Sequence, residues 1–195
     1  AGAAAITAAT ATWNSSNAFF DGSKISGIGH SFGSTILMPA AAVNSSIKQV
    51  VLVGPAGGLA YAFESSGMLG QAIAEGLNAV DSALVPGAAL WESFFSVFQA
   101  AMDPADPISY IDSLDPDQAV YVIEVERDQF FPNSVDHRPL GGSSPLIELM
   151  GLDRINASTD TGAGGVLRAA VRINADDAPV GFITYLDPTA GCAAN

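Results

Sequence analysis

The chain has 195 residues, 49% of them apolar and 14% charged, enough to build one packed core and too apolar for a disordered chain. Seven Lys and Arg stand against 20 Asp and Glu, a net charge of −13, which argues against nucleic-acid binding by phosphate neutralisation and against anionic membrane surfaces. No apolar run is long enough to span a membrane, and the single Cys192 can form neither an internal disulfide nor, with no Cys or His beside it, a zinc site.

The first residue is Ala and no basic segment precedes Ala3-Ala4-Ala5-Ile6, so no intact signal peptide is read. Ala3 to Thr12 is Ala-rich and predicts a helix, Asp21-Gly22 a turn, and Ile25 to Ile28 a short strand. Ser31 to Val43 then reads as a helix of small and apolar residues. Val50-Val51-Leu52-Val53 is a β-branched strand ended by Gly54-Pro55, which completes a βαβ unit.

Leu59 to Met102 predicts helices, broken by Pro86-Gly87 and closed by Pro104, which form a helical cap inserted over about residues 59–103. Within it Trp91, Phe94, Phe95 and Phe98 fall at helical spacing, which suits a lid or acyl-chain wall over Ser31 and a plain core helix equally. Ala119 to Ile123 reads as a third strand, extended to Val125, and Ala170 to Ile173 as a fourth. Alternation of this kind predicts a parallel α/β sheet.

Gly29-His30-Ser31-Phe32-Gly33 fits G-x-S-x-G, the turn in which a strand runs sharply into a helix and exposes a serine while glycines relieve the crowding. Ser31 is therefore the candidate nucleophile, and the backbone N–H of Phe32 a candidate oxyanion donor. A serine hydroxyl needs a base to take its proton and an acid to orient that base, in the chain order Ser, carboxylate, His. Asp128, in the loop after the third strand with Phe130, Phe131 and Pro132, is the candidate acid. Glu124 and Glu126 share its face if the two-residue period continues, so each is a fallback acid, or the three form an acidic cluster. Only two histidines exist. His30 belongs to the turn itself and reads as a packing or hydrogen-bonding neighbour. His137 follows Asp128 and is the candidate base, with a polar loop histidine as the alternative.

No cofactor or metal is expected. The acidic residues Asp103, Asp106, Asp112, Asp115 and Asp117 lack the spacing of a calcium loop and read as solvated turns. Gly54 and Gly57-Gly58 lack both the dinucleotide fingerprint and a phosphate-binding Lys.

Several stretches together resemble the bacterial extracellular lipases of the virulence-factor lipase family. They are Asp21-Gly22-Ser23-Lys24, Gly29-His30-Ser31-Phe32-Gly33, Gly54-Pro55-Ala56-Gly57-Gly58 and Phe98-Gln99-Ala100-Ala101-Met102-Asp103 ahead of Asp106-Pro107. Asp128 with Pro132-Asn133, and Pro139-Leu140-Gly141-Gly142 leading to Pro145-Leu146-Ile147, extend the resemblance over about residues 5–190. It implies an α/β-hydrolase fold, cleavage of lipid carboxylic esters, and export to the cell surface or medium. It also implies Ser31 as nucleophile and Asp128 as acid.

The chain departs from that pattern twice. The family's histidine is expected just after the last strand, where Asn174-Ala175-Asp176-Asp177-Ala178-Pro179-Val180 carries no imidazole. About two dozen residues precede the strand leading into Ser31, where such a hydrolase has several strands. The expectation is thus the C-terminal part of an α/β-hydrolase domain over residues 1–195, a parallel sheet with a helical cap whose first strand needs a further segment to cover its edge. Two functions remain open: a serine ester hydrolase, and a catalytically impaired module that binds lipid or a partner.

Overall fold

The computed structural model describes residues 21–156 and 166–173. The Ala-rich start, the stretch 174–180 and Cys192 lie outside them. The described elements run β1 (Ile25–His30), α1 (Phe32–Ala42), β2 (Ile47–Val53), α2 (Leu59–Glu64), α3 (Gly70–Val80), α4 (Ala89–Met102), β3 (Ala119–Val125), α5 (Ser143–Leu149), β4 (Asp153–Arg154) and β5 (Arg168–Ile173). Two 3₁₀ turns, Asp103–Ala105 and Pro107–Ser113, link α4 to β3. The strands read as 25–28, 50–53, 119–125 and 170–173 are present, each as long or longer, and the two-residue β4 is too short to carry a periodic signal.

All five strands are parallel, in the order β1-β2-β3-β5-β4. A parallel sheet whose β1 turns sharply into α1, with a helical insertion between β2 and β3, is a partial α/β-hydrolase fold. One sheet face carries the main core: Val50 and Leu52 of β2 and Val120 and Val122 of β3 pack against Met38 and Ala41 of α1 and Leu146 and Ile147 of α5. Gln118, buried just before β3, donates to the carbonyls of Ala41 and Ile47 and so ties the end of α1 to the start of β2. The opposite face is open among the described residues: Ile28 is 68% exposed, and Val51, Tyr121, Ile123 and Val171 are half-buried. No described helix is long and apolar enough to cross a membrane.

Two sequence readings change here. Glu124 is not a fallback acid. Its carboxylate is 0% exposed and accepts from Ser143 (2.8 Å), Ser144 (2.6 Å), Arg154 (2.5 Å) and Arg172 (2.7 Å). Burial alone would raise its pKa, but the two guanidinium groups and two hydroxyls outweigh burial and lower it to about 2. Asp106 is not a solvated turn residue either: at 1% exposure it accepts from the amides of Gly58, Leu59 and Ile108 and from the Gln99 side chain. It caps the start of α2, a role that linear spacing hides because its partners lie nearly 50 residues upstream.

Glu124 stabilises the fold fully above its ordinary pKa of 4.5, and that contribution is lost as pH falls from there through about 2. Urea unfolding of Glu124→Gln is expected to show about 2 kcal/mol less stability at pH 6. The variant should also lose less stability than the parent between pH 5 and pH 3, a range of about two pH units in which only the parent protonates this site.

Candidate active site

The C-terminal ends of β1, β2 and β3 lie side by side. The Ser31 N–H donates to Val53 O at 2.7 Å, and the Gly54 N–H donates to Ile123 O at 2.8 Å. Ser31 follows β1, Gly54 follows β2, and Asp128 lies three residues past β3.

Ser31 has φ 53° and ψ −123°, a region that non-glycine residues avoid because Cβ crowds the backbone. Such a conformation costs about 1–3 kcal/mol and persists only where neighbours over-determine it. They do so here. The Ser31 carbonyl accepts from the Ser34 N–H (2.9 Å) and the Ser34 hydroxyl (2.5 Å), while the Ser31 N–H is fixed on β2. The turn leaves Ser31 half-exposed, with its hydroxyl unbonded among the described residues. Phe32 opens α1, so its N–H has no intrahelical acceptor and is free to donate beside Ser31.

The two glycines of the motif are not equivalent. A Cβ on Gly29 would lie 2.6 Å from Ser34 Cα and 2.7 Å from both Gly33 O and Ser34 N, so the turn closes only over a bare Cα. A Cβ on Gly33 meets nothing within 4 Å among the described residues.

Asp128 is half-buried, and its carboxylate is divided between two tasks. Oδ1 accepts from the amides of Phe130 (2.7 Å) and Phe131 (3.2 Å). Oδ2 leans over the end of β2, 3.2 Å from where a Cβ on Gly54 would sit, and accepts no bond among the described residues. Ser31 and Asp128 follow strands two apart, a span of about 10 Å, so a group of imidazole size is needed between them. The loop is held by Asn133, which accepts from the Arg127 N–H and donates to Val125 O and Ser143 Oγ.

The histidines are not brought to this point. His30 ends β1, half-buried, with no side-chain hydrogen bond among the described residues. His137 is exposed at φ 61°, at the tip of a tight turn closed by the Arg138 N–H on Val135 O. No hydrogen bond joins His137 to Ser31 or Asp128. Its neighbour Arg138 anchors the turn to the cap through Glu64 of α2 (3.2 Å) and Glu92 of α4 (2.6 Å), and stacks over Tyr61. Burial works against the Arg138 charge, but Glu64 and Glu92 outweigh it and raise its pKa above the ordinary value.

The aromatic group read within the cap packs together. Trp91 and Phe95 are fully buried and form the cap's own core with Ala60, and Phe94 and Phe98 pack against it, so the plain-core reading holds for all four. A second aromatic row starts at Phe32, the residue after Ser31, and continues through Phe63 and Phe131 to Phe130. They come from three separate segments, so no periodic signal in the sequence groups them; the adjacency of Phe32 to Ser31 was the one local clue.

No family model matches the chain, and no curated protein matches it. Among solved structures, an acylaminoacyl peptidase of Pyrococcus horikoshii aligns over 84% of this chain and 21% of its own, at 9% identity and a TM-score of 0.48. An esterase of Pyrococcus furiosus aligns over 84% of this chain and 48% of its own, at 14% identity and a TM-score of 0.42. The chain thus spans about a fifth of that peptidase and about half of that esterase.

Because Ser31 is strained, Ser31→Gly is expected to unfold about 1 kcal/mol higher than Ser31→Ala, as measured by chemical denaturation. Gly29→Ala should cost about 3 kcal/mol, and Gly33→Ala should change stability by less than about 0.5 kcal/mol.

Proposed function

We propose that the chain is a serine ester hydrolase acting on carboxylic esters of lipids. The observation that carries the reading is the strained Ser31, pinned at both its N–H and its carbonyl, with the free Phe32 N–H beside it. Strain of this kind has no packing purpose, since a glycine would adopt the same conformation without cost. Asp128 supports it by holding one unbonded oxygen over the side-chain-free Gly54. The resemblance to the virulence-factor lipases adds the lipid substrate and export to the cell surface or medium.

In this reading Ser31 Oγ attacks the ester carbonyl carbon while its proton passes to the base. The Phe32 N–H donates to the oxyanion, and the alcohol leaves with the proton the base returns. Water then attacks the acyl-serine by the same path and frees the acid. Asp128 Oδ2 is the acceptor that would fix the base's tautomer. Of the two histidines, His137 follows Asp128 in the chain order of this fold and is the candidate for the base, a position its exposed turn does not bring it to in this structure.

A second reading, a module that binds lipid or a partner without turnover, is favoured by one observation: His137 sits on an exposed turn with no bond to Ser31 or Asp128. Hydrolysis of p-nitrophenyl butyrate and decanoate separates the two. The first reading expects Ser31→Ala and His137→Ala to fall to background and Asp128→Asn to lose about a thousandfold in kcat. A parent chain no faster than Ser31→Ala would sink it. Activity that depends on Ser31 and survives His137→Ala would remove His137 from the base's role.

A further inference from the structure

Four rings form a continuous row that starts at Phe32, the residue after Ser31. Phe32 lies 6.4 Å from Phe63, Phe63 5.7 Å from Phe131, and Phe131 4.8 Å from Phe130, centroid to centroid. One end begins at the residue whose N–H flanks the nucleophile. The other ends on the two residues whose amides hold Asp128 Oδ1. Phe63 of α2 is the middle ring, half-buried, and Met102 at the end of α4 packs behind the cluster.

Burial grades along the row. Phe131 is 1% exposed and anchors it, while Phe32 is 47% exposed, an apolar ring left facing solvent next to a reactive serine. The charge around it is one-sided. Residues 54–126, which include the whole cap, contain no Lys or Arg. Arg127 is turned outward, and Arg138 is consumed by Glu64 and Glu92. Among the described residues nothing along the row can neutralise an anionic group, whereas Phe32, Phe63 and Phe130 each keep exposed area for an alkyl chain.

We propose that this row is the wall along which the uncharged aliphatic chain next to the scissile carbonyl lies, and that Phe63 sets the preferred chain length. The proposal rests on the ester-hydrolase reading for its substrate, but its binding half stands apart from turnover. The chain runs from Ser31 along Phe32 to Phe63, and Phe130 closes the far end, with the buried Phe131 packed against both Phe63 and Phe130. Trp91 and Phe95 take no part, because they are sealed inside the cap.

The test joins binding and kinetics on the full chain. Calorimetric titration with 1-decanol should show binding that Phe63→Ala weakens by about tenfold. Val97→Ala, which removes an apolar group exposed on the outer face of α4, should leave it unchanged. Decanoate should bind more weakly than decanol. In hydrolysis, the decanoate-to-acetate ratio of kcat/KM for p-nitrophenyl esters should fall by about tenfold in Phe63→Ala, with acetate turnover kept. A matching series of alkyl acetates decides whether the wall takes the acyl or the alcohol chain.

Where Phe63→Ala disturbs folding, Phe63→Trp carries the same test, since the larger ring should shift the optimum to shorter chains. Decanol binding that is absent, or indifferent to residue 63, overturns the proposal; so does turnover dependent on Ser31 with an unchanged chain-length ratio. Decanol binding that falls in Phe63→Ala while no turnover depends on Ser31 keeps the wall and removes the hydrolase reading.

Discussion

The arrangement depends on one backbone residue held where it would not go by itself. Ser31 is pulled from both sides, its N–H by β2 and its carbonyl by the first turn of α1. The strain of about 1–3 kcal/mol is offset by those bonds and by the buried small residues beneath them. Move any of these supports and the serine relaxes into the turn. Gly29 is bare because Ser34 backbone must come within van der Waals contact of it, and Ser34 is buried because its hydroxyl is one of the clamps.

Around this point the loops are fixed by buried polar groups as well as by the small apolar cluster of Ala56, Leu59, Ala62 and Phe131. Asp106 holds the start of α2, Asn133 holds the loop that carries Asp128, and Glu124 gathers Arg154 and Arg172 beneath it. Arg138 does the same between the cap and the turn of His137. Each of these groups has several partners, which is the condition under which a buried charge or amide is not a liability. The cap is thereby joined to the turn of His137, and the Met68 N–H and the Ser66 hydroxyl, both donating to Gln129 O, join it to the loop of Asp128, so Phe63 meets Phe32 as part of a fixed helix.

Much of this was legible in the residues. The β-branched run at 50–53 and the G-x-S-x-G pattern announced a βαβ unit with Ser31 at its turn, because both are local signals with a steric cause. Asp128 was read as the candidate acid from chain order, and the structure places it three residues past β3. What stayed hidden depends on contacts between distant segments. Glu124 looked like a spare acid until Arg172 appeared opposite it on β5, a register that no single strand encodes. Asp106 looked solvated because its partners at 58 and 59 are far away in sequence. Trp91 and Phe95 had the spacing of a wall and of a core alike, and only packing separated the two.

The central claim is that the strain at Ser31 serves nucleophilic attack. It is tested most directly by treating the folded chain with an alkyl fluorophosphonate, then measuring intact mass and mapping the modified peptide. The account predicts a single adduct of one phosphonyl group on Ser31, formed by the folded chain and not after denaturation. An unmodified chain under conditions that label a known serine hydrolase, or an adduct on another residue, would contradict it.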